Sequence, residues 1–170
     1  MKRSILLLML CFSGAVAAQE RTDYALNDGK IRFRVPSTWS AIMEKSDGNP
    51  QAIVFQVPDT AAQGTEDAAT ITVKTRQLKS PGDFAEAVQN ELALSKAQTG
   101  YESDAQAADS GVHRYFVLRG KTRYAIRDRF VLIGTIAAQV RCQRPLLDAT
   151  TKDWTAAWDA GCNSISASVQ

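Results

Sequence analysis

Alternation of apolar and polar positions predicts strands along much of this chain. Ile31, Phe33 and Val35 fall on one side of a short run, Lys30, Arg32 and Arg34 fall on the other, and Pro36 stops it. Tyr24-Ala25-Leu26 and the turn Asn27-Asp28-Gly29 make that run the second arm of a hairpin. Ala52 to Val57 is a largely apolar strand ended by Pro58-Asp59, and the polar, Ala/Gly-rich stretch from Asp59 to Ala69 reads as an exposed loop. From Thr70 to Gln77, Ile71, Val73 and Thr75 alternate with Thr72, Lys74 and Arg76, which suits a half-buried strand.

The period then changes. Ser80 fits an N-cap, Pro81 the first helical position and Asp83 the third, where a carboxylate favours the helix start. Phe84, Val88, Leu92 and Ser95 form one stripe with Ala87 and Glu91 beside it, and Gly100 closes the segment. Three strands follow, Val112 to Leu118, Arg123 to Leu132 and Thr135 to Cys142, with turns at Gly120-Lys121 and Gly134. A last helix, from Asp148 or Asp153 to about Ser166, puts Trp154, Trp158 and Cys162 along one face. Both indoles are expected to pack inward on the sheet, with Trp39 as a corner plug. The order is four strands, a helix, three strands and a helix: an α+β domain with an antiparallel β-sheet flanked by helices.

The first residues change how the charge is read. Lys2 and Arg3 precede the apolar run Ile5 to Phe12, and Ser13 to Ala18 reads SGAVAA, the small-residue pattern of a signal-peptidase site. Residues 1–18 are expected to be a cleaved signal peptide, with the cut after Ala18 preferred over Ala17, and 19–170 to be one domain. The apolar run is too short for a span of about 20 residues, Leu10 before Cys11 is too large for a lipobox, and no transmembrane segment is expected in the mature chain. The expected location is periplasmic or secreted. The whole chain has 20 Lys+Arg against 18 Asp+Glu, but the leader removes two bases and no acid, so the mature chain is neutral. A global electrostatic case for nucleic-acid binding therefore fails.

Cys142 and Cys162 remain after cleavage, and in an oxidising compartment such a pair is most simply a disulfide. In the chain-entropy account it stabilises by about 3 kcal/mol. The alternative, a metal held by both thiolates and His113, lacks the four ligands that structural zinc takes. No cofactor is expected.

Phe33-x-Val35-Pro36-x-x-Trp39, the strand ending Val57-Pro58-Asp59, the Ile71-Thr72-Val73 strand and the helix from about Pro81 follow in the order seen in PsbP-like domains. With the three-strand meander and terminal helix, nearly the whole mature chain resembles that fold group, to which DcrB-like bacterial envelope proteins are similar. The resemblance implies an α/β/α sandwich and a binding or assembly role, as in photosystem subunits, small-GTPase-binding proteins and toxin-blocking immunity proteins. It supplies no functional residues to carry over, and fold alone does not choose among these roles.

Catalytic signatures are missing from the sequence. His113 is the single histidine, and there is no G-x-S-x-G, H-E-x-x-H, P-loop or G-x-G-x-x-G pattern. A carboxylate pair drawn from Asp59, Glu66 and Asp67 is conceivable for an envelope hydrolase, but a solvated acidic loop explains those acids as well. Calcium binding by the same loop lacks the regular spacing of acids. The expectation is a protein that is not an enzyme.

Charge is instead segregated along the chain. Ser40 to Gly111 carries 5 basic and 11 acidic residues, whereas Val112 to Arg144 carries 8 basic residues and one acid, Asp128. In the middle strand of the meander Tyr124, Ile126, Phe130 and Leu132 point one way, and Arg123, Ala125, Arg127 and Arg129 the other. Arg114, Arg119 and Lys121 lie nearby, and Arg32 and Arg34 extend the patch if the first hairpin joins the same sheet face. Two readings stand. The arginines pair with the acidic half of the domain and protect the sheet, or they form a surface for an acidic envelope protein. On the second, Arg114, Tyr115, Arg119, Lys121, Arg123, Tyr124, Arg127 and Arg129 are the partner-binding residues, since Arg and Tyr are enriched at interfaces. The concrete versions are an immunity or inhibitor protein and an envelope-maintenance accessory. An anionic ligand, lipid phosphate or acidic glycan, is the other class.

Overall fold

Pro36, Pro58 and the glycines of the tight turns cut the alternating runs into strands, and the two helical stretches fall where the period changes. The computed structural model describes residues 20–63, 66–104 and 111–170. The expected signal peptide, residues 1–18, lies outside the described residues. The strands are β1 (Arg21–Leu26), β2 (Ile31–Pro36), β3 (Ser40–Lys45), β4 (Gln51–Val57), β5 (Ala69–Gln77), β6 (Glu102–Ser103), β7 (Val112–Arg119), β8 (Thr122–Ile133) and β9 (Ile136–Pro145). The helices are α1 (Phe84–Lys96) and α2 (Lys152–Ser168).

This is the α+β architecture expected, with two differences in strand count. β3 was not anticipated: all six of its residues are exposed, so no buried face writes an alternation into its sequence. β6 is only two residues long, below any useful period. Seven strands form one antiparallel sheet in the order β3-β4-β5-β9-β8-β7-β6.

The first hairpin does not join that sheet. β1 and β2 pair only with each other and lie over it as a separate layer. The layer is held by aromatic contacts: the Tyr24 and Phe33 rings lie 4.8 and 6.2 Å from the Phe55 ring. Arg34 accordingly pairs with Asp23 at 2.7 Å and does not extend a patch on β7 and β8.

The hairpin and α2 together cover one face of β4, β5 and β9. Ile53, Phe55, Ile71, Val73, Ala138, Val140 and Cys142 are buried beneath Phe33, Val35, Trp158, Cys162 and Ile165. Each such aliphatic or aromatic side chain, fully buried, contributes about 1.5–3 kcal/mol. Two links tie α2 down. Cys142 of β9 and Cys162 of α2 form the disulfide, which removes both thiolates from any metal site. The end of the chain also runs beside β2, where Arg32 N donates to Gln170 O at 3.1 Å and Gln170 N donates to Arg32 O at 3.3 Å.

The opposite face carries α1, whose start follows the expected signals. A 3-10 turn (Pro81–Asp83) leads in, and the Asp83 carboxylate accepts a hydrogen bond from Ser80 N at 2.9 Å. This helix seats on polar side chains. Glu91 takes Lys74 Nζ at 2.6 Å and Arg76 Nη2 at 3.8 Å from β5.

Trp39 plugs the corner between hairpin and α2, and it constrains the helix opposite. A Cβ placed on Gly161 would overlap the Trp39 ring, with Cζ2 only 2.7 Å away. Gly161→Ala gains about 1 kcal/mol of helix propensity but meets an overpacking cost of about 1–3 kcal/mol. The expected result in urea unfolding is a net loss of stability, largely restored when Trp39 is also shortened to Leu. A stabilised single mutant would mean that the indole does not press on α2.

Candidate binding face

The alternation in β8 sends Arg123, Ala125, Arg127 and Arg129 to the α2 side of the sheet and Tyr124, Ile126 and Asp128 to the α1 side. Pairing with β7 aligns Arg114 with Arg127, Phe116 with Ala125 and Leu118 with Arg123. Pairing with β9 puts Arg144 opposite Ala125. Directly paired residues share a face, so Arg114, Phe116, Leu118, Arg123, Arg127, Arg129 and Arg144 all stand on the α2 side.

α2 covers only the β9 edge of that region, and the surface beyond it is open. Leu118 is 42 % exposed, Arg123 and Arg129 are exposed, and Phe116 is half-buried. The Arg123 guanidinium lies 4.0 Å from the centre of the Phe116 ring and donates to Glu102 at 2.7 Å. Nearer the helix, Arg127 is largely buried, with Nη1 3.5 Å from Asp159 of α2. Arg127 and Arg144 both lie over the Trp158 ring, at 5.7 and 5.6 Å.

The other expected partner-binding residues belong elsewhere. Tyr115 and Tyr124 face α1 and are 2 % and 3 % exposed, so they are core residues and offer no surface to a partner. Their hydroxyls explain this placement, because each is needed inside. Tyr124 donates to Asp67 at 2.8 Å, and Tyr115 donates to Asp128 at 2.9 Å. Arg119 also lies on the α1 side, donating to Gln143 at 2.7 Å with its guanidinium 4.8 Å from the Tyr124 ring centre. Lys121 is exposed in the turn after Gly120. Thus four of the eight, Arg114, Arg123, Arg127 and Arg129, are brought together. Phe116 and Leu118 were missed although they share strand parity with Arg114; Arg144 could be placed only by the β8–β9 register.

Asp128, the one acid in the basic segment, is fully buried. Arg141 Nε and Nη2 bind its two oxygens at 2.8 and 2.9 Å, and Gln139 adds a third bond at 3.1 Å. Arg141 also reaches Ser95 of α1 at 3.1 Å, as does Tyr115 at 3.0 Å. Burial acts to lower the Arg141 pKa, but the Asp128 hydrogen bonds and charge outweigh it and hold the guanidinium ionised. Burial, followed by the Asp128 charge, pushes the Tyr115 phenol well above its usual value. Burial, then the Asp67 hydrogen bond, pushes Tyr124 up to about 12.

The acidic loop is engaged in the fold as well. Asp59 accepts from Ala61 N at 2.9 Å and from Thr150 Oγ1 at 3.3 Å, while Asp67 accepts from Thr122 Oγ1 at 2.8 Å. Glu66 is exposed. His113 packs edge-on to Phe130, with ring centres 5.8 Å apart. Trp158 is buried as expected, whereas Trp154 is half-buried, stacks on it at 6.4 Å and donates its indole N–H to Pro58 O at 2.6 Å.

No family model and no curated protein matches the chain by sequence. Solved structures do resemble it. A protein from Bacteroides thetaiotaomicron superposes with a TM-score of 0.51 at 13 % identity, covering 90 % of this chain and 48 % of that one. LpqN of Mycobacterium tuberculosis, described as involved in cell envelope biogenesis, superposes with a TM-score of 0.50 at 17 % identity, covering 89 % and 90 %. At these identities the likeness is one of fold. The disulfide accords with an extracytoplasmic location, and among the described residues no helix is long and apolar enough to cross a membrane.

Two outcomes follow from the buried network. Asp128→Ala strands Arg141 without its partner and is expected to cost about 3–5 kcal/mol of folding free energy; a loss below about 1 kcal/mol in denaturant unfolding is what an exposed pair gives. The phenols set an alkaline limit. Both are protonated in either state below pH 10, so their contribution is fully present there. Between pH 10 and about 12 the unfolded chain sheds protons that the folded chain keeps, and stability falls as pH rises. Unfolding free energy measured from pH 8 to 11.5 should decline above 10, less steeply in Tyr124→Phe.

Proposed function

We propose that this chain is a non-catalytic binding domain of the bacterial cell envelope that docks an acidic protein partner on the open side of β7 and β8. The observation that carries the reading is the uncovered strip where Arg123 stands beside Phe116 and Leu118, with Arg129 further along β8. Arginine forks suit carboxylates, and Leu118, opposite Arg123, and Phe116, next on the same face of β7, supply the apolar part of a small interface. Envelope placement draws on the leader pattern, on the disulfide and on the likeness to LpqN, a protein involved in cell envelope biogenesis. The non-catalytic reading draws on Asp59 and Asp67, which hold the fold together through hydrogen bonds. Within this class an envelope-maintenance accessory is preferred to an immunity protein, since the structural likeness points to biogenesis.

Crosslinking and affinity capture from envelope extract test this, comparing the wild type with Arg123→Glu/Arg129→Glu. Both altered residues are exposed, so circular dichroism should be unchanged, with a stability loss of up to about 1 kcal/mol from the lost Arg123–Glu102 pair. The expected result is one acidic protein captured by the wild type, released by salt and lost in the double mutant. Equal capture by both forms would move the interface off this face.

A further inference from the structure

Beside α2 the open face narrows into a small notch, with a cavity volume of about 40 Å³, lined by Arg114 of β7, Arg127 and Arg129 of β8, and Asn163 and Ser166 of α2. Strand register forces the three arginines together. Arg114 is directly opposite Arg127, and Arg129 lies two positions further on, between Val112 and Val140. Like charges directly opposite on antiparallel strands repel. Arg127 is engaged by the fold, with Nη1 3.5 Å from the Asp159 carboxylate. Neither Arg114 nor Arg129 forms an ion pair within the described residues. The Arg114 Nε is buried and has no hydrogen-bond acceptor. Arg114 and Arg129 thus bring two positive charges, and a buried donor without a partner, to a small opening whose other lining residues, Arg127 apart, are neutral.

We propose that this notch is a phosphate-binding site. A phosphate carries about −1.5 to −2 charges near neutral pH and three acceptor oxygens. It can accept the Arg114 Nε hydrogen, take the fork of Arg129 in charge-assisted bonds, and relieve the repulsion across the β7–β8 ladder. A carboxylate brings one charge and leaves part of that repulsion in place. The chemistry is the same whether the phosphate is free, on a small ester or on a lipid headgroup. The notch stands on its own observations and does not require the protein partner proposed above.

The test uses protein labelled with 15N-arginine and titrated with inorganic phosphate at constant ionic strength, chloride being the control. The Arg114 Nε–H resonance should shift saturably with phosphate and not with chloride. Arg129→Gln, at an exposed position, should weaken the apparent affinity by about tenfold or more. Arg114→Lys keeps the charge but lacks the Nε donor and should weaken binding too, whereas Lys152→Gln, a charge-matched change at the start of α2, should not. Vesicles of phosphatidylglycerol, with phosphatidylcholine vesicles as control, separate the sources. Binding displaced by inorganic phosphate and lost in Arg129→Gln assigns a lipid headgroup, and phosphate saturation without vesicle binding assigns a free or small-molecule phosphate. No saturable shift, or equal loss in Lys152→Gln, overturns the site. Inorganic phosphate is the sole probe of the notch, so its failure is read separately from failure to capture a protein.

Discussion

Asp128 is an acidic side chain with no exposed surface, and the far half of the sheet is organised around it. Its two oxygens take both arms of Arg141 from β9, the Tyr115 hydroxyl from β7 and the Gln139 amide. A buried carboxylate is tolerable only with such complete satisfaction. The bonds reach the strands on both sides of β8, so they also define register. A slip of one residue in β8 would turn Asp128 toward α2 and its neighbouring arginines toward α1. The polarity of both faces therefore depends on this one carboxylate.

The two faces of the sheet are stabilised by different physics. Toward the hairpin and α2, packing of Phe33, Phe55, Ile71, Val140 and Ile165 dominates, and the Cys142–Cys162 bond limits how far the helix can depart. Toward α1 a small apolar cluster of Tyr115, Val117, Tyr124 and Ile126 is joined by ionic and hydrogen-bonded contacts, with Glu91 on Lys74 and Ser95 between Tyr115 and Arg141. Polar seating of this kind specifies where α1 lies while contributing less net stability per contact than apolar packing.

The basic segment divides accordingly. Arg141 neutralises the buried acid, Arg119 lies over Tyr124 on the same side, and Arg127 joins β8 to α2 through Asp159. Part of the positive charge is thus consumed by the fold. Arg114 and Arg129, which form no ion pair among the described residues, and Arg123, paired with Glu102, lie on the side where α2 stops short of the outer strands. The proposed partner surface and phosphate notch both arise from that incomplete covering: strands at the margin of a sandwich keep one face open, and the ladder sets their side chains side by side.

Much of this architecture was legible in the chain itself. The period-two runs placed the core strands and the faces of β8, the Ser80–Asp83 capping signals placed α1, and two cysteines expected in an oxidising compartment gave the cross-link. These are local or compositional facts, carried by neighbouring residues. The fully exposed β3 left no such pattern, and the separation of the first hairpin from the sheet depended on where its apolar side could be buried. The same limit explains the tyrosines. Alternation assigned Tyr124 to a face, but only the position of α1, Asp67 and Asp128 decided that this face and Tyr115 upon it were closed. Cross-strand register and helix placement join residues far apart in the chain, so the convergence of Arg114, Arg127 and Arg129 beside α2 was decided by the tertiary structure alone.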